Sequence, residues 1–173
     1  MHGQIMGFLQ GRKEHHPGHF VPGVRVLELG SRDINGSPRQ LFDRPGFYLG
    51  IDCHGGPGVD VVGVVHEVLA SRKLDLLDVV VSTEMLEHDP YWQQTLQAAV
   101  PLLRPGGLFM LSCASRCRPA HHLEDSPVPG HYGGLDPADL LPVLEPMHLW
   151  TSLEGWLVRN DLDTLVAGVV GDG

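Results

Sequence analysis

The sequence predicts an α/β fold, a doubly wound and mostly parallel sheet with helices on both faces. One observation is compositional. The stretches VRVLELG (24–30), FYLGIDC (47–53), GVDVVGVV (58–65), LDVVVSTEM (77–85) and GLFMLSCAS (107–115) are nearly unbroken apolar runs rich in Val, Leu and Ile. Such runs mark strands covered on both faces. A second is alternation, since segments with helical spacing of apolar residues fall between these strands. The third is continuity. No repeat and no linker divides the 173 residues, so 1–173 reads as a single domain around one core.

Taken in order, residues 4–16 form a short amphipathic helix, which the turn-rich HHPGHFVPG ends, making 1–23 an N-terminal helix and turn. The strand 24–30 breaks at Gly30. SPRQLFD (37–43) reads as a helix with Ser37 as cap and Pro38 in its first turn. After the strands at 47–53, 58–65 and 77–85, the segment 90–107 has helical spacing up to a stop at RPGG. The strand 107–115 runs into a turn-rich insertion, 115–134, and loops of that length are usually functional. LDPADLLPVLE (135–145) is a helix capped by Asp136, with Pro137 in its first turn. The tail reads as two late strands joined around RNDLD.

Charge narrows the function classes. Twenty-one acids against 12 Lys and Arg give a net charge of -9, with no basic run, so nucleic acid is not the expected partner. No stretch reaches the ~20 apolar residues of a membrane helix, and the first residues lack a signal-peptide layout. Cys53, Cys113 and Cys117 form no paired framework and read as reduced thiols of a cytoplasmic protein. The oligomeric state is not legible.

The most informative stretch is VRVLELGSRDING. A dinucleotide loop would read G-x-G-x-x-G, but here the glycines stand at 30 and 36, the middle one is missing, and Glu28 and Asp33 flank the turn. Carboxylates repel a phosphate by about 1–4 kcal/mol per close pair and favour a cation instead. A phosphate-free nucleoside bearing a sulfonium and an ammonium suits them.

At this point the chain resembles the class I S-adenosylmethionine-dependent methyltransferases. VLELGSRDING stands where that family has its E/D-x-G-x-G-x-G motif. YLGIDC matches the second strand ending in an acid, DVVVSTEMLEH the fourth-strand motif, and LLRPGGLFMLS the helix, turn and strand that follow. The resemblance implies a Rossmann-like methyltransferase fold of seven strands with an antiparallel last strand, and S-adenosyl-L-methionine as cofactor. It implies that Gly30 admits the methionine part, that Glu28 orders the loop, and that Ser31, Arg32 and Asp33 complete it. Asp52 would accept the ribose hydroxyls, with Cys53 and His54 beside the adenosine. Val65 and His66 would serve the adenine, and Ser82 and Glu84 the methionine end. Two departures stand out: Arg32 and Asp33 replace small residues, and Val64 occupies the place of the acid that contacts adenine.

The implied activity is methyl transfer to an oxygen or nitrogen of a small molecule. Rival readings are a non-catalytic module of the same fold and an NAD-dependent oxidoreductase. For an oxygen acceptor the candidate bases are His88, His121, His122 and His131, with His131 and Tyr132 also on the substrate side. His88 serves equally well as a residue that fixes its loop. No residue set is assigned as a metal site. Trp92, Trp150 and Trp156 are read as packing, and Cys113 and Cys117 as inert thiols.

Overall fold

The first apolar run forms β1 (Arg25–Leu29), an inner strand of the sheet with other strands laid out to either side. The computed structural model describes residues 3–120 and 131–172. The remaining strands are β2 (Phe47–Asp52), β3 (Val61–Val62), β4 (Leu77–Thr83), β5 (Leu103–Ala114), β6 (Trp150–Val158) and β7 (Asp163–Val170). Their order across the sheet is β3-β2-β1-β4-β5-β7-β6. The pairs within β3 to β5 are parallel, and β7 runs antiparallel to both of its neighbours. The chain winds outward from β1 in one direction and from β4 in the other. The carboxyl ends of those two strands are therefore the topological switch point where such sheets bind ligands.

Strand alternation divides the core in two. Leu27, Leu29, Val80, Phe109 and Leu111 face α2 (Val65–Ala70), α3 (Trp92–Ala99) and α4 (Pro137–Leu144). Val26, Val79, Val81, Leu108 and Met110 face the other way, toward Leu9 of α1 (Gly3–His15) and the Phe20–Phe42 ring stack. Burial on both faces is why these strands read as continuous apolar runs.

Several expected boundaries are corrected. The helix expected at 37–43 is one 3₁₀ turn, Pro38–Leu41. Ser37 caps it as expected, accepting the Arg39 N–H at 3.1 Å. The chain then turns extended at Phe42 and passes through left-handed Arg44 into Pro45, which disfavours helix before it. The strand expected at 58–65 shrinks to Val61–Val62, and Val65 opens α2 instead. Val65 and Leu69, one turn apart on α2, both pack into the core, so the tertiary contact overrides the β-branched composition. The helix expected over 90–107 ends at Ala99, with a 3₁₀ turn at Val100–Leu102 around Pro101. The fifth strand, expected from 107, begins at Leu103, and a register shift between Leu77 and Val79 of β4 absorbs the RPGG segment. The N-terminal helix buries only Ile5 and Leu9, so its amphipathic character is slight. Helix α4 carries a capping box between Asp136 and Asp139.

Candidate functional site

Gly30 ends β1 with φ +74, and a Cβ there would lie 2.5 Å from both Cβ and Cγ of Met85. Only glycine lets the tip of β4 close over this loop. The N–H groups of Gly30 and Ser31 both donate to the Ile51 carbonyl, at 2.9 and 3.1 Å, and the Asp33 N–H donates to Pro57 O at 2.8 Å. Asp52, at the tip of β2, completes the join. Its Oδ2 accepts the Arg32 N–H at 3.0 Å and its Oδ1 the His54 N–H at 2.9 Å. The Cys53 thiol also donates to Oδ1, weakly, at 3.6 Å, so Asp52 keeps its clearest spare acceptor capacity on Oδ2.

Glu28 sits below this loop. Alternation turns it to the α1 side of the sheet, where Ser37 Oγ donates to Oε1 at 3.2 Å and Tyr48 Oη to Oε2 at 2.7 Å. Burial pushes its carboxyl up to about 7, against the lowering effect of these two bonds. Behind Tyr48, the Arg39 guanidinium lies 4.2 Å from the ring centroid and pairs with Asp60. Asp60 in turn accepts the Gly50 N–H at 2.7 Å. Glu28 thus joins the loop's far end to β2. Asp33 is exposed and accepts the Gly36 N–H at 2.7 Å, a bond within its own turn.

The expected adenine-side residues lie where β3 passes into α2. Val64 is the residue before α2, and the Val65 side chain is buried in the core. His66, in the first turn, packs its ring 5.3 Å from that of Tyr91. Cys53 Sγ lies 3.2 Å from His54 Nδ1. Burial, then Asp52, pushes the Cys53 thiol up to about 11.

At the tip of β4, Ser82 is buried and donates to Leu29 O at 3.2 Å, tying β4 to β1 rather than facing an open space. Glu84 follows in a left-handed conformation, φ +52, with its N–H on Ser112 O at 2.9 Å. Arg118 reaches back from the loop after β5 and donates to Glu84 Oε2 at 2.6 Å and to buried Asp163 at 3.2 Å. Arg159 pairs with the other Asp163 oxygen at 3.2 Å. Glu87 is fully buried beside this group, and burial, then the neighbouring Glu84 charge, raises its carboxyl well above the ordinary range.

His88 is buried, with the Tyr132 ring 5.4 Å away at 69°. Gly133, next in the chain, donates its N–H to Glu87 O at 2.8 Å. The far end of the insertion therefore returns to the tip of β4, bringing His131 and Tyr132 to the same edge as His88. His121 and His122 lie outside the described residues. Sequence reasoning missed Arg118 and Asp163 as members of this group. Arg118 is 34 residues from Glu84 and 45 from Asp163, so no local spacing announces them.

No family model matches the chain. A ubiquinone biosynthesis O-methyltransferase of Burkholderia thailandensis is 32% identical over 108 residues, 56% of this chain and 47% of that protein. The chain thus spans about half the length of that curated relative. Among solved structures, a SAM-dependent methyltransferase from Archaeoglobus fulgidus superposes with a TM-score of 0.67 at 15% identity, covering 94% of this chain and 93% of the other. The 1,6-didemethyltoxoflavin-N1-methyltransferase of Burkholderia thailandensis, solved with 1,6-didemethyltoxoflavin and S-adenosylhomocysteine, gives 0.66 at 19% identity, covering 97% and 79%. The strand order of the sheet and these superpositions give the chain the Rossmann-like fold of the methyltransferase structures, and over 56% of its length its sequence is similar to that of the O-methyltransferase.

Proposed function

We propose that the chain binds S-adenosyl-L-methionine at the carboxyl ends of β1, β2 and β4 and transfers its methyl group to an oxygen or nitrogen of a small molecule. The observation that carries this reading is Asp52. It is a half-buried carboxylate, each oxygen fixed by one backbone N–H, with a spare lone pair on Oδ2 and a weak Cys53 thiol contact at 3.6 Å on Oδ1, beside a turn that only Gly30 can make. A ribose diol is matched by such a pair of acceptors. The Asp52 charge at the tip of β2 favours a phosphate-free nucleoside over a phosphorylated one.

The cofactor supplies an electrophilic methyl on a sulfonium. The protein's part is alignment and exclusion of water, which proximity can make worth on the order of 7–11 kcal/mol. Gly30 lets Met85 pack against the loop and so fixes its shape, and Asp52 with Ser31 and Arg32 holds the nucleoside side. Arg118 sets Glu84 at the methionine end. His88 and His131, with Tyr132, stand on the acceptor side, where one imidazole takes the proton of a hydroxyl acceptor. The net charge of -9 favours a small molecule over nucleic acid as acceptor. Among the described residues no helix is long and apolar enough to cross a membrane.

Calorimetric titration with S-adenosylhomocysteine tests the reading. Micromolar binding to the wild type, weakened at least about tenfold in a folded Asp52→Ala variant, is the expected result. No heat up to millimolar ligand would overturn it. Val64, in place of the adenine-contacting acid, favours a second reading as a non-catalytic module of the same fold. Cofactor binding without methyl loss to any acceptor in a broad panel would select that one. A thermal shift with NAD larger than that with S-adenosylhomocysteine would select the oxidoreductase.

A further inference from the structure

We infer that Asp52, Cys53 and His54 form a binding site for a borderline-soft divalent cation such as zinc, and that this site shares the Asp52 carboxylate with the nucleoside proposed above. Only the sharing rests on that proposal. The metal site stands on its own geometry.

These three consecutive residues leave the end of β2 with a carboxylate oxygen, a thiol sulfur and an imidazole nitrogen all within 4.8 Å of one another. Cys53 Sγ lies 3.2 Å from His54 Nδ1 and 3.6 Å from Asp52 Oδ1. In a tetrahedral zinc site, bonds of about 2.3 Å to sulfur and 2.0–2.1 Å to nitrogen or oxygen put neighbouring ligand atoms about 3.5 Å apart. The sulfur is thus already near the spacing a cation needs from both partners. The backbone explains why consecutive residues can converge. The His54 N–H bonds Asp52 Oδ1 at 2.9 Å, closing a turn that carries residue 54 back over residue 52. The Arg32 N–H holds the other oxygen at 3.0 Å, a support of the kind that orients metal-binding carboxylates.

The donor set selects the metal. One thiolate, one imidazole and one carboxylate suit zinc or cobalt and disfavour magnesium and calcium, which take oxygen ligands. Three protein ligands on half-buried residues leave a fourth position open to water or to a ligand atom. The other thiols offer nothing comparable. Cys113 is buried against Leu135 O, and among the described residues no second group of this kind occurs. A cation here occupies the lone pairs of Asp52 that the ribose hydroxyls need, so metal and nucleoside exclude each other. Bound zinc would then inhibit the proposed reaction.

The test is titration of the reduced full chain with Co²⁺, read by the near-ultraviolet thiolate-to-cobalt charge-transfer band. One equivalent should give the band. Cys53→Ser should abolish it, and His54→Ala should weaken binding by about 10–100-fold, while Cys117→Ser keeps both band and affinity. Zinc should displace the cobalt. A wild type without the band, or a band that persists in folded Cys53→Ser, overturns the site. Saturating S-adenosylhomocysteine should weaken cobalt binding at least about tenfold. If calorimetry shows that the nucleoside binds and cobalt affinity does not change, the shared carboxylate is refuted. If the nucleoside does not bind at all while the cobalt band forms, the methyltransferase reading fails and the metal site remains.

Discussion

At the scale of single residues, the loop after β1 separates two kinds of acid. Asp52 holds backbone from both sides and keeps capacity to spare, whereas Asp33 spends an oxygen on its own turn. Asp33→Ala should therefore change affinity for S-adenosylhomocysteine by less than about threefold, against at least about tenfold for Asp52→Ala, both by calorimetry. Gly30 is more demanding. Alanine there meets both a left-handed φ and the Met85 side chain at 2.5 Å. Gly30→Ala should cost about 2–4 kcal/mol in urea unfolding and abolish measurable nucleoside binding. A loss under 1 kcal/mol would show that the tip of β4 can move aside. Gly30 and Asp52 were legible in the sequence because each is a local consequence of where an apolar run stops. The partners of Glu28 were not, since Ser37 and Tyr48 reach it only after the chain has folded back as β2.

At the scale of elements, the long strands were legible and the short ones were not. Strands β1, β2 and β4 are buried on both faces, and their composition declares it. Segment 58–65 has the same composition, but its edge position supports only Val61–Val62, and Val64 precedes and Val65 begins α2. The loop after β5 illustrates a different limit. Its first residues are pinned by Arg116 to Asp136 and Asp139 at the start of α4, and by Arg118 to Glu84 and Asp163. Its last residues return to the tips of β4 and β5, with Gly133 on Glu87 O and Leu135 on Ala114 O. None of these contacts follows a short-range pattern, so the sequence indicated a long insertion but not its anchors. Arg118 is the chief anchor, because removing it leaves Asp163, with no exposed surface, beside Arg159 alone. Arg118→Met should cost about 3–5 kcal/mol in chemical unfolding. Adding Asp163→Asn should recover part of that loss, and additivity of the two changes would refute the coupling.

At the scale of the whole molecule, one sheet with two cores brings buried carboxyls close to neutral titration. Glu28 on the α1 side is raised from 4.5 to about 7 by burial, and Glu87 on the opposite side is raised by burial and by Glu84. A carboxyl whose folded pKa exceeds its unfolded value contributes stability that is fully present below the unfolded pKa and lost as pH rises through the folded one. For Glu28 that window runs from 4.5 to about 7, and Glu87 extends it upward. The protein should accordingly lose stability between pH 5 and 8, by up to about 1.4 kcal/mol per pH unit for each group that titrates. A net charge of -9 also disfavours the compact state as acids ionise, so the pH trend alone does not identify the cause. Salt separates the two. At about 1 M ionic strength the Debye length falls to ~3 Å, which quenches surface repulsion but not the desolvation of a buried carboxylate. Urea unfolding at pH 5 and pH 8 should keep most of its difference in high salt, and Glu87→Gln should reduce it. If high salt abolishes the difference, the surface charge governs the pH response and the buried acids do not.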